Sequence, residues 1–221
     1  MIAGGQRSGR LVRLLARAHS AQAAVASESK WRWLDSTGHD INPCNSRLHP
    51  AVVAGIEPRG EAISVQEAYT PMSKCFGCGP ANRNGLQLKS TRTERGLEGN
   101  LSIPDKFLAF PGVINGGVVS SILECHGNWT AALELMDKAC LPRPPLTLTA
   151  SMFVNYKRPT PSNEPLLVRS QIVRIIDTGT IGLTKQAVEV DLQLFCLSSG
   201  REELLVTAEG LFKRQGATCA L

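Results

Sequence analysis

The run Pro111-Gly112-Val113-Ile114-Asn115-Gly116-Gly117-Val118-Val119-Ser120-Ser121-Ile122-Leu123-Glu124-Cys125-His126-Gly127-Asn128-Trp129-Thr130-Ala131-Ala132 carries a single formal charge, Glu124, and no other occurs between Lys106 and Glu134. Val, Ile, Leu, Ala and Trp dominate the rest, and the stretch is long enough for roughly five or six turns of α-helix. Apolar nearly all round, such a helix has to be enclosed by other elements. A lone carboxylate inside it costs several kcal/mol when ionised unless it is paired or hydrogen-bonded, so Glu124 has either a partner or a task.

The start of this helix can be read from its residues. Pro111 and Gly112 signal a turn, Asn115 suits an N-cap, and Gly116-Gly117 lets another group come close to the first helical N–H groups, which have no intrahelical acceptor. The helix dipole adds partial positive charge at the same place, and the result is a small nest of donors. Glu124 lies eight residues beyond Gly116, about 12 Å along the axis and roughly 80° around it. A ligand lying along the helix can therefore meet backbone donors at one end and a carboxylate at the other.

Downstream the period changes to two. Leu146, Leu148, Ala150, Met152, Val154 and Tyr156 alternate with Thr147, Thr149, Ser151, Phe153 and Asn155, which predicts a strand with one apolar face and Thr149 on the polar one. Pro159 and Pro161 end it. Further strands are expected over about 166–176, through Val188, Val190, Leu192, Leu194 and Cys196 on one shared face, and over about 204–212. Asp177-Thr178-Gly179-Thr180 and Ser198-Ser199-Gly200-Arg201 supply turns between them. Upstream of the helix, residues 86–93 and 97–103 can pair through Glu94-Arg95-Gly96. Two strands, one long helix and about four more strands make an antiparallel sheet with a helix to cover, an α+β fold in which the sheet curls about the helix.

Three segments together carry a resemblance. Asn115-Gly116-Gly117 followed by six residues and Glu124 resembles the His-Gly-Gly, six residues, Asp motif of hotdog-fold acyl-CoA thioesterases of the phenylacetate-catabolism (PaaI-like) type. Cys75-Phe76-Gly77-Cys78-Gly79-Pro80-Ala81-Asn82-Arg83-Asn84-Gly85-Leu86 and Tyr156-Lys157-Arg158-Pro159-Thr160-Pro161 resemble segments of the same family, in the same order, so that the likeness spans about residues 70–214. It implies a hotdog fold, a curved antiparallel sheet wrapped around one long central helix. It also implies a homodimer or homotetramer with active sites between subunits.

The resemblance assigns roles as well. Glu124 takes the position of the catalytic Asp, as general base for water or as nucleophile toward a thioester carbonyl, with one extra methylene of reach. The Gly116 N–H, helped by Gly117, takes the oxyanion-hole position. Asn115 stands where many relatives have His; its amide can donate to a carbonyl oxygen but cannot transfer a proton. Thr149 would orient the water or the carboxylate, and Lys157 and Arg158 would meet CoA phosphates at the rim. The implied reaction converts an acyl-CoA, or another acyl-carrier thioester, to free acid and thiol, with no cofactor and no metal. Simpler readings stand beside these roles: Glu124 satisfied by Ser120, Ser121 or Asn128, Asn115 only a cap, and Lys157 and Arg158 a solvated loop. Departures from the motif at 115 and 124 also keep open a non-catalytic acyl-CoA or lipid-binding protein. A hydratase of the same fold has no matching Asp/His helix pattern here. His126, two residues after Glu124, falls on roughly the opposite face and is expected as a packed or interface histidine.

The charge is uneven along the 221 residues. Of 24 Lys+Arg and 19 Asp+Glu, residues 1–60 hold eight and four, which leaves 16 and 15 for the rest. The remainder is nearly neutral and poor in aromatics, with no basic stripe or stacking platform for nucleic acid. No run has the length and purity of a membrane span. Before the first acidic residue, Glu28, the side chains of Arg7, Arg10, Arg13 and Arg17 gather on one side of a helical wheel, with Leu11, Val12, Leu14 and Leu15 mostly on the other. Residues 1–35 therefore read as an organellar transit peptide, mitochondrial rather than plastid, with a disordered basic tail as the plain alternative. Residues 36–70 read as linker or partly ordered extension, 71–215 as the thioesterase domain and 216–221 as a tail.

Seven cysteines, Cys44, Cys75, Cys78, Cys125, Cys140, Cys196 and Cys219, form no framework spacing and favour reduced thiols. Cys75 and Cys78 alone have ligand-like spacing. A zinc site needs about four ligands and no second pair follows, so a structural turn is the expected role, with zinc binding and a redox dithiol as the alternatives. Cys125 is expected in the core.

Overall fold

A computed structural model describes residues 47–56, 58, 63–177 and 186–215; the N-terminal basic segment and the C-terminal tail, with the expectations placed on them, lie outside the described residues. Two short helices come first, α1 (Pro50–Val53) and α2 (Val65–Tyr69). A capping box starts α2: Ser64 Oγ accepts from the Glu67 N–H at 3.2 Å, and the Glu67 carboxylate accepts from the Ser64 N–H at 3.1 Å. Val65, Ala68 and Tyr69 belong to the hydrophobic core, so the last residues of the expected linker pack with the domain that follows.

Strands β1 (Thr91–Arg92) and β2 (Leu97–Leu101) pair antiparallel, joined as expected through residues 94–96. The first is far shorter than the 86–93 expected. Leu86 and Leu88 spend their N–H groups on the Phe76 and Gly77 carbonyls, at 2.8 and 3.0 Å, so this stretch is tied to the cysteine loop and not to the sheet. A small hairpin, β3 (Leu108–Phe110) and β4 (Val113–Ile114), turns through Gly112 at φ 75°, a left-handed conformation that favours glycine, and delivers the chain to α3 (Gly116–Lys138).

After the helix come β5 (Thr147–Tyr156), β6 (Leu166–Asp177), β7 (Gln186–Cys196) and β8 (Glu203–Arg214). All neighbours in the six-stranded sheet are antiparallel, in the order β1-β2-β6-β7-β8-β5. Helix α3 packs against β2, β5, β6, β7 and β8, which is the hotdog arrangement of one long helix held by a sheet. Val188, Val190, Leu192, Leu194 and Cys196 are all buried, as their alternation implied. Each full burial of a Val or Leu contributes about 1.5–3 kcal/mol. Helix and sheet approach each other closely at Gly127, where an added Cβ would sit 2.5 Å from the ring of the fully buried Phe212.

Strand β5 departs from its alternation. Its register against β8 slips between Thr149 and Ser151, leaving Ala150 as an extra residue. A bulge of this kind switches which side chains face the core. Before it, Thr147 and Thr149 turn toward the helix while Leu148 is 44% exposed; after it, Met152 and Val154 turn inward and Phe153 is 68% exposed. The expected polar face of the strand is thus, at Thr149, the face that meets α3.

Candidate active site

Glu124 is half-buried on α3, and the Thr149 hydroxyl donates to its Oε1 at 2.5 Å. None of the simpler partners takes this carboxylate. The Ser120 hydroxyl bonds the Tyr156 hydroxyl at 2.6 Å, Ser121 donates to the Gly117 carbonyl at 2.9 Å, and Asn128 exchanges hydrogen bonds with Thr147 at 2.5 and 3.1 Å. Oε2 of Glu124 makes no hydrogen bond among the described residues. One oxygen fixed by a hydroxyl and one left over is an oriented acceptor, available to a water or an incoming group.

Eight residues back, Asn115 caps the helix. Its Oδ1 accepts from the Gly117 N–H at 2.8 Å, and its carbonyl accepts from Val118 and Val119 at 3.0 and 3.2 Å. This capping bond engages the N–H that Gly117 was expected to offer an oxyanion. Gly116 keeps its N–H without an acceptor among the described residues, so the nest reduces to one free backbone donor at the positive end of the helix dipole.

Tyr156 closes over the same turn. Its hydroxyl donates to the Gly116 carbonyl at 2.7 Å, and its ring lies 3.4 Å from the place where a Gly116 Cβ would stand, at van der Waals contact. From the sequence, Tyr156 belongs to the strand alternation and to the downstream resemblance, with no role at the helix start. Its approach to α3 depends on the bulge at Ala150, which no alternation signals. A cleft of about 490 Å³ opens beside the turn, with Phe110, Val113, Gly116, Tyr156, Lys157 and Arg158 among its walls. Lys157 and Arg158 are both exposed at this rim, and Arg158 is ion-paired with Glu203. Glu124 does not line the cleft, so within one chain the donor end and the carboxylate end face different spaces.

His126 is fully buried and stands apart from Glu124. Its Nε2–H donates to the Leu97 carbonyl at 3.1 Å and its Nδ1 accepts from the Ser90 hydroxyl at 2.9 Å, an assignment that follows because a carbonyl can only accept. Burial in this closed setting pushes its pKa down to about 4, so the ring is neutral at ordinary pH. It is a packed histidine, as the helical spacing implied. Cys125 is buried in the core, as expected, and its sulfur lies 3.7 Å from that of Cys75.

No protein-family model matches the chain, and no curated protein matches it. Solved structures do. A thioesterase superfamily protein from Shewanella loihica PV-4 superposes with a TM-score of 0.45 at 20% identity, over 62% of this chain and 98% of that one. The E. coli PaaI protein from the phenylacetic acid degradation operon gives 0.45 at 14%, over 60% and 83%. A hypothetical thioesterase from Streptococcus pneumoniae TIGR4, solved with coenzyme A, gives 0.44 at 13%, over 58% and 86%. The solved structures to which this chain is similar are thus thioesterase superfamily proteins, at low sequence identity.

Proposed function

We propose that the protein is a thioester hydrolase acting on acyl-CoA or a related acyl-carrier thioester. The observation that carries this is Glu124: the one charged residue between Lys106 and Glu134, with Oε1 held by Thr149 and Oε2 uncommitted. Water attacks the thioester carbonyl as Glu124 takes its proton, the Gly116 N–H stabilises the oxyanion, and the proton passes to the departing thiolate, leaving acid and thiol. In the nucleophilic variant the carboxylate attacks first and water resolves the anhydride. A Glu124 carboxylate and a Gly116 N–H about 12 Å apart along one helix cannot both meet one carbonyl, whose donors must lie near 3 Å. The working site therefore pairs Gly116 of one subunit with Glu124 of another. Edge strand β5, with Leu148 and Phe153 exposed on its outer face, fits the homodimer or homotetramer that this requires.

The test is a panel of short, medium, long and aromatic acyl-CoA esters, read by free-thiol release, on the wild type and on Glu124→Gln. Hydrolysis that disappears in a variant of unchanged oligomeric state supports the reading, and full activity in that variant rejects it. Tyr156, seated over Gly116, favours a second reading: a protein that binds acyl thioesters without turning them over. Measurable binding with no hydrolysis anywhere on the panel selects it. Residues 1–35 support mitochondrial import, with plastid import as the alternative; a reporter fused to them that stays diffuse in the cytosol rejects both.

A further inference from the structure

The loop carrying Cys75 and Cys78 folds onto α3 where Cys125 sits, so closely that a Cβ on Gly77 would lie 2.5 Å from the Cys125 sulfur. The three sulfurs all lie within 4.8 Å of one another, and Cys75 and Cys125 are 3.7 Å apart. Metal–sulfur bonds of about 2.3 Å in a tetrahedral or trigonal shell set sulfurs roughly 3.8–4.0 Å apart, so small side-chain rotations bring all three onto one ion.

The Trp129 indole N–H donates to the Cys78 sulfur at 3.4 Å, a contact that favours a thiolate there. Gly79, directly after the second cysteine, lets the loop turn back on itself: a Cβ there would strike the Cys75 backbone N at 2.4 Å. Counting ligands along the sequence found only the Cys75/Cys78 pair, because the third thiol arrives from a helix 47 positions after Cys78.

We propose that Cys75, Cys78 and Cys125 form a binding site for one thiophilic d10 cation, Zn2+ or Cu+, which ties the cysteine loop to α3 one residue from Glu124. Three thiolates fit trigonal Cu+ as they stand, and Zn2+ takes a fourth ligand from solvent. The ion displaces the thiol protons to solvent and needs no oxidant.

The test uses the full chain, reduced, stripped of metal and kept anaerobic, and titrated with Zn2+ against a chromogenic chelator and separately with Cu+ against bicinchoninate. One equivalent of either ion per chain, lost in Cys75→Ser and in Cys125→Ser but kept in Cys140→Ser, is the expected result, and the stronger arm identifies the cation. Co2+ added to the wild type is expected to give a thiolate-to-metal band of three-sulfur intensity, a readout that survives if a variant fails to fold. Three results overturn the proposal: neither ion binding at one equivalent, Cys125→Ser binding as tightly as wild type, or a chain isolated without reductant that has lost two thiols to a disulfide and takes up no metal once reduced.

Discussion

Helix α3 has two polar seams, and they are built differently. Toward β6 and β2, the polar groups form a closed set: Gln66 bonds Ser90 through both its amide atoms, Ser90 bonds His126, His126 bonds Leu97, and Thr130 bonds Ser170 and the His126 carbonyl. Every one of these side chains is buried. Toward edge strand β5, Ser120, Glu124 and Asn128 meet Tyr156, Thr149 and Thr147, all but the last partly exposed, and Glu124 is left with a free oxygen. A closed buried network specifies how the helix sits, because any unpaired member would cost about 1–3 kcal/mol. An open one has spare bonding capacity, and spare capacity at a carboxylate is what a reaction can use. On the proposed function, stability belongs to one seam and chemistry to the other, and each substitution below is chosen to break that division.

The largest expected effect belongs to the open seam. Glu124→Gln keeps the size of the side chain and its bond to the Thr149 hydroxyl but removes the base, so hydrolysis of a preferred acyl-CoA falls about 10²–10⁴-fold while the urea midpoint stays within experimental scatter. A comparable loss of stability with little loss of rate would place Glu124 in the scaffold and dissolve the distinction.

The closed seam answers to pH instead. His126 has its folded pKa lowered to about 4 from 6.5. Above about pH 6.5 both folded and unfolded chains carry it neutral and its contribution is complete; below that, the unfolded chain takes up a proton that the folded one refuses until about pH 4. Stability therefore declines as pH falls through that window, by roughly 3 kcal/mol in all. Because carboxylates titrate nearby, the quantity to measure is the difference in unfolding free energy between wild type and His126→Gln at pH 7 and pH 4.5. A difference that does not change with pH removes the buried neutral ring from the account.

Much of this division could be read in advance, for reasons that differ between the elements. The helix, its Asn115 cap and the β7 face of Val188, Val190, Leu192 and Leu194 follow from local periodicity and capping chemistry, which depend on near neighbours in the chain. Helical rotation alone puts His126 on the face away from Glu124. What escaped depended on a partner far away in sequence. The bulge at Ala150 arises from register against β8 and puts Thr149 and Tyr156 on the helix side. The Cys125 neighbourhood depends on a loop 50 residues upstream. The capping bond that engages the Gly117 N–H was implicit in an Asn at the N-cap, yet the same residue was also assigned a substrate role, and spacing has no means of ranking the two.

A smaller effect probes the close contact of the helix with β7 and β8. Gly127→Ala improves helix propensity by about 1 kcal/mol but drives a methyl to 2.5 Å from the Phe212 ring and 3.1 Å from Leu192, both fully buried. Overpacking of this kind costs about 1–3 kcal/mol, so the net change is a loss of up to about 2 kcal/mol in denaturant unfolding. A more stable variant would mean that the sheet yields easily beneath Gly127.

The smallest effect separates the two roles of Asn115, on the open seam. Asn115→Ala removes the acceptor that holds the Gly117 N–H and costs about 1 kcal/mol of stability. Asn115→Asp keeps an acceptor, and its charge suits the helix N-terminus, so stability returns to the wild-type level. The amide donor is gone in both. If that donor meets the substrate carbonyl, the two variants share a lowered kcat/KM even though their stabilities differ; if Asn115 is a cap alone, kcat/KM follows stability and Asp recovers both. Measuring the pair together therefore decides whether the donor end of the site is Gly116 by itself or Gly116 with an amide beside it.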